Sequence, residues 1–135
     1  MDNDINLERA AAQVEAVLQG NIRTPHVKAF FDRPTFTASY VVHDPTTRVA
    51  AIIDSVLDFD HPSGRTSYES ADAMLAYVGA EGLKVDWLLE THAHADHLSA
   101  APYLQEKLGG KLVIGAEIVT VQNVFGRIFN EGSFP

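Results

Sequence analysis

The stretch LLETHAHADHLSAAPYL, residues 88–104, places four potential metal ligands within six residues of one another. They are His92, His94, Asp96 and His97, and the apolar run KVDWLLE leads directly into them. Histidine nitrogens and carboxylate oxygens are suitable ligands for zinc, ferrous iron or manganese. An ordinary polar loop rarely has this density of such groups. The stretch therefore predicts a metal site on a loop that follows a buried strand.

The spacing within the stretch predicts which side chains share one ion. In an extended loop, positions i, i+2 and i+4 point to the same side, so His92, His94 and Asp96 are expected to converge. His97 follows Asp96 directly and is expected to point elsewhere, toward a second metal or a hydrogen-bond partner. Two histidines and one carboxylate are also the ligand set of oxygen-activating non-heme iron. The residues by themselves leave zinc, iron and manganese open.

The flanking segments predict an α/β fold, in which helices pack against a sheet. Helical spacing is found at 7–18, 68–82, 97–110 and 116–129, and strand-like runs are found at 26–32, 36–44, 48–56, 84–90 and 111–115. The turn-like PTT between the second and third runs predicts a hairpin. LDFDHPSGRTS, residues 57–67, is rich in turn-forming residues and is interpreted as a polar loop.

Composition excludes several classes of protein. The chain has 135 residues with 18 acidic and 10 basic side chains, and it has no basic run of the kind that binds nucleic acid. No apolar stretch approaches the roughly 20 residues of a membrane-spanning helix. The absence of cysteine rules out a disulfide scaffold, a Cys-ligated zinc site and a thiol nucleophile. These features are typical of a cytoplasmic protein.

The remaining polar residues give weaker signals. His26, His43 and His61 are interpreted as solvated or hydrogen-bonded histidines. Arg65 and Thr66, in SGRTS, could contact an anionic substrate, although turn chemistry explains most of that segment. No glycine-flanked nucleophile turn surrounds Ser99, and the dinucleotide and phosphate-loop patterns are absent. No catalytic residue is assigned from the sequence.

THAHADH, residues 91–97, matches the H-x-H-x-D-H signature of the metallo-beta-lactamase fold superfamily. Together with AIIDSVLDFD, SGRTS and the segment that continues to KLVIG, it resembles the ETHE1-like bacterial persulfide dioxygenases, which are related to glyoxalase II and include beta-lactamase-like hydrolases. The resemblance implies an αββα sandwich with one ferrous iron, and zinc is the alternative. It implies oxidation of glutathione persulfide to sulfite and glutathione. By position, His92 matches the first iron ligand, and His94, Asp96 and His97 match the rest of the signature. The resemblance implies that these three residues bind metal in the binuclear relatives, whereas in the dioxygenases they mostly surround the iron and orient its ligand.

The chain departs from this family pattern after the signature. The other iron ligands of the family, a histidine and an aspartate, come from the second half of the fold, yet no histidine follows His97 here. The resemblance therefore implies that residues 25–135 form the N-terminal half of a metallo-beta-lactamase-like domain and that residues 1–24 are a helical extension and linker. A half-sandwich exposes one face of its sheet, so a homo-oligomer or a complementing C-terminal half is expected.

Two other functions are compatible with the same residues. In a zinc-dependent, glyoxalase II-like thioester hydrolase, Asp96 and His97 would hold a second metal and a bridging hydroxide would attack the thioester. HADHLSAA lacks the glycine pair that commonly follows the signature in those hydrolases. A non-catalytic metal-binding or interaction module is the third hypothesis, because two expected iron ligands are missing.

Overall fold

The structure, a computed structural model, describes residues 2–20 and 24–131. In chain order its elements are α1 (Asp2–Leu18), β1 (His26–Asp32), β2 (Thr37–His43), β3 (Val49–Ile53), β4 (Val56–Asp60), β5 (Arg65–Ser67), α2 (Glu69–Ala80), β6 (Lys84–Glu90), β7 (Leu98–Ser99), α3 (Ala101–Leu108), β8 (Lys111–Ile114) and α4 (Ile118–Ile128). The main sheet has the order β1-β2-β3-β6-β8. The first three strands are antiparallel, and β6 and β8 join them in parallel. The predicted α/β class and hairpin are confirmed.

Helices α2 and α3 cover one face of the main sheet and close the core. Ile52 of β3 and Leu88 of β6 point to this face, where they meet Met74 of α2 and Leu104 of α3. All four side chains are at most 1% exposed. Burial of a side chain of this size contributes about 1.5–3 kcal/mol, so this cluster anchors the strands whose ends carry the site.

The other face of the main sheet is apolar and exposed. Successive strand residues point to opposite faces, so Val27, Phe31 and Trp87 lie on the side away from the core. They are 59%, 61% and 43% exposed, respectively. An exposed apolar surface of this kind is where a partner would bind. Coverage of this face by another subunit or by a complementing half stays a prediction.

A second, three-stranded sheet corrects the interpretation of residues 57–67 as a polar loop. Its order is β5-β4-β7, with Phe59 opposite Thr66 and Val56 opposite Ser99. Residues 57–60, LDFD, alternate apolar and polar side chains, which is the strand period. Gly64 adopts φ +67° in the turn, a conformation that glycine takes without strain. The turn-forming residues thus close a hairpin.

The helix predicted from residue 97 begins later, at Ala101. Leu98 pairs with Leu57 in β7, and the Ala100 N–H donates to the Ser55 carbonyl at 3.0 Å. These long-range bonds hold the segment extended before the helix starts. The potential metal ligands therefore lie on a loop between two strands. Helix α1 begins at Asp2, five residues before the predicted start.

Among the described residues, no helix is long and apolar enough to cross a membrane.

Candidate metal centre

The loop at 91–97 lies where several strands of the main sheet end. It follows β6, whose parallel neighbour β3 ends immediately before Asp54. The first residue of β2, Thr37, reaches the same end because β2 runs antiparallel to β3. The topology therefore brings three separate segments of the chain around the predicted ligands.

Asp54 is the central acceptor of this arrangement, and it adopts an uncommon backbone conformation. Its φ of +51° lies in the left-handed region, which costs a non-glycine residue about 1–2 kcal/mol. Backbone bonds hold it there: its N–H donates to the Leu89 carbonyl at 2.9 Å, and its own carbonyl accepts from Ser39 Oγ at 2.6 Å. The strained residue, at the end of β3, is thus held by bonds to β2 and β6, and its carboxylate is directed at the loop.

The Asp54 carboxylate accepts three hydrogen bonds from the loop. The Thr91 N–H and hydroxyl donate to it at 2.8 and 2.7 Å, and His94 Nε2 lies 2.9 Å from Oδ1. Burial by itself raises the pKa of the Asp54 carboxyl, but the bonds from Thr91 and His94 together outweigh burial and hold the pKa below its ordinary value. The carboxylate is therefore ionised and acts only as an acceptor.

The same contacts orient His92. Its Nδ1 lies 2.8 Å from the Thr91 hydroxyl oxygen. Since the single Thr91 hydroxyl proton is donated to Asp54, His92 Nδ1 must donate to Thr91. That assignment leaves the lone pair on His92 Nε2, at an exposed position on the loop.

His97 has a buried nitrogen without a partner. Its side chain is 0% exposed, and Nδ1 lies 3.2 Å from Thr37 Oγ1 and 3.4 Å from Asp96 Oδ1. Within the described part of the chain, its Nε2 has no hydrogen-bond partner. A buried polar atom left unpaired costs about 1–3 kcal/mol, and a ligand bound at Nε2 would offset that cost.

The ligands group differently from the spacing prediction. His94, Asp96 and His97 offer ligand atoms within 4.8 Å of one another. The centroids of the His97 and His94 rings lie 4.1 Å apart with a tilt of 40°, so His97 lies beside His94, and its Nδ1 also contacts Thr37 Oγ1 at 3.2 Å. His92 belongs to neither ligand group found in the described residues, although its ring lies 4.2 Å from His94. The chain bends at residues 95–97 and then enters β7, which pairs with β4, so the period of an extended loop does not apply here.

Asp96 is the exposed member of the group, with 53% of its side chain accessible. Its own backbone N–H bonds to the carboxylate and is the largest influence on its pKa. Partial burial raises the pKa slightly, while His97 and Thr37 lower it further. The net result is a pKa below the ordinary value, so the carboxylate is available as an anionic ligand near neutral pH.

Glu90 and Asp54 form a second group with His94 that sequence reasoning missed. Glu90 Oε2 lies 3.2 Å from His94 Nε2, and the Ser99 hydroxyl donates to Oε1. The one available signal was an acidic residue at the end of each apolar run, AIID and WLLE. That signal is weak, because surface strand ends carry acids as well.

A cavity of about 370 Å³ opens beside the ligand group. Its lining includes His94, Asp96 and His97, together with an apolar wall and His61. The apolar wall consists of Pro34, Leu57, Phe59 and Leu98. The His61 ring makes an edge contact with Phe59 at 4.7 Å. The volume lies within the range of small-molecule sites, so a ligand of modest size could reach the metal ligands.

The other predicted residues lie outside this group. His26 is exposed at the start of β1, and His43 is buried at the far end of β2. Arg65 and Thr66 lie on exposed β5.

The donor set fits a transition metal. Imidazole suits iron and zinc, and a carboxylate neutralises charge on the ion. His94 Nε2 bonds to the Asp54 carboxylate, which is the usual arrangement behind a metal-ligating histidine. His97 keeps an Nε2 that has no partner among the described residues. Iron and zinc both satisfy these donors.

Comparison with known proteins agrees with the site. Residues 32–134 match the family model described as the Metallo-beta-lactamase superfamily. The chain is 55% identical over 106 residues to a probable metallo-hydrolase of Burkholderia pseudomallei, covering 78% of this chain and 36% of that protein. It is 31% identical over 84 residues to the mitochondrial persulfide dioxygenase ETHE1 of Mus musculus, covering 62% of this chain and 29% of that protein.

A solved structure shows the same similarity. The crystal structure of ETHE1 from Myxococcus xanthus superposes with a TM-score of 0.57 at 30% identity, over 67% of this chain and 36% of that one. The chain thus spans roughly a third of the length of the proteins it matches.

Proposed function

The chain belongs to the metallo-beta-lactamase superfamily, and we propose that it carries the metal-binding loop of an iron-dependent persulfide dioxygenase acting on a small thiol persulfide such as glutathione persulfide. The observation that carries the proposal is the convergence of His94, Asp96 and His97, whose ligand atoms lie within 4.8 Å of one another. The His97 side chain in this group is buried, and its Nε2 has no hydrogen-bond partner among the described residues. The similarity to proteins named persulfide dioxygenase and ETHE1 supports this reaction and substrate class.

His94, Asp96 and His97 would hold the ion, with His92 Nε2 directed by Thr91 as a further donor. Ferrous iron, when bound, supplies open positions at which a sulfur ligand and dioxygen can be neighbours. Asp54 keeps the loop in place through its bonds to Thr91 and His94. Because these groups are already oriented, little reorganisation accompanies ligand binding.

The cavity wall favours a sulfur-containing substrate. Leu57, Phe59 and Leu98 place apolar carbon beside the ligands, and apolar walls exclude water from a soft, weakly hydrated sulfur atom. His61, on the rim, offers a donor or acceptor to the polar remainder of the substrate. The chain has no cysteine, so no protein thiol competes for the persulfide or is oxidised by it.

Metal content and oxygen uptake test the proposal together. Protein purified without added metal is measured by elemental analysis, loaded anaerobically with Fe(II), and assayed for oxygen consumption with glutathione persulfide. We expect about one iron per chain and oxygen uptake that yields sulfite. Glu81→Gln is a matched control, because Glu81 pairs with Arg48 on the exposed surface. Iron loading without oxygen uptake would contradict the dioxygenase assignment.

A zinc hydrolase is the second candidate, and one observation favours it. Asp54 and Glu90 form a second group of potential ligands that shares His94 with the first, so carboxylates beyond those that one ion requires lie beside the site. The similarity to a protein named probable metallo-hydrolase points the same way. Zinc approaching two per chain, with hydrolysis of S-lactoylglutathione and no oxygen uptake, would establish this function instead.

A further inference from the structure

We infer that Glu90 is a positioning residue that, together with Asp54, holds the His94 imidazole so that Nδ1 faces the ligand group. The inference rests on the proposed function for its functional meaning. The contacts that carry it are made by residues of the chain alone. It assigns a purpose to the most deeply buried carboxylate of the site, whose side chain is 9% exposed.

Two carboxylates meet one ring nitrogen. His94 Nε2 lies 2.9 Å from Asp54 Oδ1 and 3.2 Å from Glu90 Oε2. Ionised carboxylates can only accept, so the proton must be on Nε2 and the lone pair of the neutral ring on Nδ1. Nδ1 lies on the opposite side of the ring, 3.7 Å from Asp96 Oδ1. The nitrogen available to a metal is therefore the one that faces the other ligands.

Glu90 is itself fixed by a neighbouring strand. The Ser99 hydroxyl donates to Glu90 Oε1, and Ser99 Oγ accepts from the Ala101 N–H at 3.0 Å. Both contacts come from the β7–α3 junction, which is anchored by the Ala100 bond to Ser55. This arrangement leaves Oε2 with no standard hydrogen bond among the described residues and directs it at His94.

A purely structural role does not account for this geometry. A buried carboxylate oxygen without a hydrogen bond is destabilising, and an apolar side chain at the end of β6 would avoid that cost. The interaction of the Glu90 carboxylate with the His94 N–H offsets that cost. Carboxylates behind a ligating imidazole fix its tautomer and make its free nitrogen a stronger donor. Asp54 also accepts from Thr91, whereas within residues 2–20 and 24–131 His94 is the one basic group paired with Glu90.

The test combines nitrogen-15 NMR of the His94 ring in the metal-free protein with Zn(II) affinity by calorimetry. We expect the wild type to show a protonated Nε2 and an unprotonated Nδ1. Glu90→Ala should shift His94 toward a mixture of tautomers and weaken Zn(II) binding by about 10–100-fold. Glu90→Gln keeps an acceptor oxygen but loses the charge, so it should retain the tautomer and weaken Zn(II) binding by less than Glu90→Ala does. Glu81→Gln is the control and should change neither reading.

The outcomes separate this inference from the proposed function. An unchanged tautomer and unchanged Zn(II) affinity in Glu90→Ala would overturn the inference while leaving a metal site intact. A tautomer change without Zn(II) binding in the wild type would uphold the positioning role and remove the metal centre. If Glu90→Ala fails to fold, Ser99→Ala supplies the test, since release of Oε1 should loosen Glu90 and broaden the His94 nitrogen signals. Sharp, unshifted signals in Ser99→Ala would then overturn the inference.

Discussion

Two histidine clusters lie at opposite ends of the same sheet. At one end, His94 and His97 sit among the carboxylates of Asp54, Glu90 and Asp96. At the other, His43 is 1% exposed and contacts aromatic rings, with His26 at 5.2 Å and Tyr77 at 6.5 Å between centroids.

Each cluster contains one buried ring nitrogen that has no hydrogen-bond partner in the described part of the chain, Nδ1 of His43 and Nε2 of His97. Burial of an imidazole therefore does not by itself indicate a metal site. The carboxylates make the difference, because they fix the neighbouring rings and balance the charge of a cation. At the aromatic end, the same ring acts as a packing element, with a weak 3.5 Å contact from Nε2 to the Tyr77 hydroxyl.

Removal of a nitrogen from each cluster should give the largest contrast. His97→Ala should weaken Zn(II) binding by more than about 100-fold, beyond the loss expected for a residue that only supports the ligands. His43→Leu should leave Zn(II) affinity unchanged. Isothermal titration calorimetry on both variants measures the contrast. Equal losses in the two variants would mean that the carboxylates do not distinguish the two ends.

Replacement of the central acceptor should affect both metal and fold. Asp54→Ala removes the bonds to Thr91 and His94 and leaves a left-handed φ without its side-chain support. We expect Zn(II) binding to fall about 10–100-fold. We also expect unfolding free energy to fall by about 1–3 kcal/mol. Asp54→Asn tolerates the left-handed conformation and should recover part of the stability but less of the affinity. Urea denaturation and calorimetry separate the two effects.

Substitutions of His43, at the aromatic end of the sheet, should change stability without changing Zn(II) affinity. His43→Ala leaves a cavity beside Tyr77 and should cost about 2 kcal/mol or more. His43→Leu is close in volume and removes the unpaired Nδ1, so its stability should stay within about 1 kcal/mol of the wild type. Denaturant midpoints measure the difference. A large loss in His43→Leu would show that the ring makes a polar interaction of its own.

The smallest expected effect concerns a polar pair away from both clusters. Tyr103 donates to Asp72 Oδ1 at 2.7 Å, and this bond, with some burial, raises the pKa of the Tyr103 hydroxyl. The folded pKa exceeds the unfolded one, so the stabilisation is present below about pH 10 and is lost as pH rises through the folded pKa. Asp72→Asn should lower the Tyr103 pKa toward its ordinary value. Ultraviolet titration, with Tyr103→Phe to identify the signal, checks this.

Much of the fold was predictable because its segments follow a simple period. The runs at 26–32 and 84–90 are strands in the structure, and 68–82 contains a helix. β6 and α2 each bury apolar residues, whereas none of the seven residues of β1 is buried. Short strands were missed: β4, β5 and β7 have five, three and two residues. Strands this short are stabilised by pairing with distant segments, and a local sequence pattern does not contain that information.

The potential metal ligands could be predicted from the sequence, whereas the residues that support them could not. His92, His94, Asp96 and His97 are recognisable along the chain because six residues hold all four. Asp54 and Thr37 lie 40 and 60 residues from the histidines they contact, and their acidic or hydroxyl side chains are common at strand ends. Local composition and periodicity thus determined the presence of a metal-binding loop on an α/β scaffold. Tertiary folding decided that His97 lies beside His94 and that Asp54 and Glu90 contact His94 Nε2. Only strand pairing brings these distant side chains within hydrogen-bond reach.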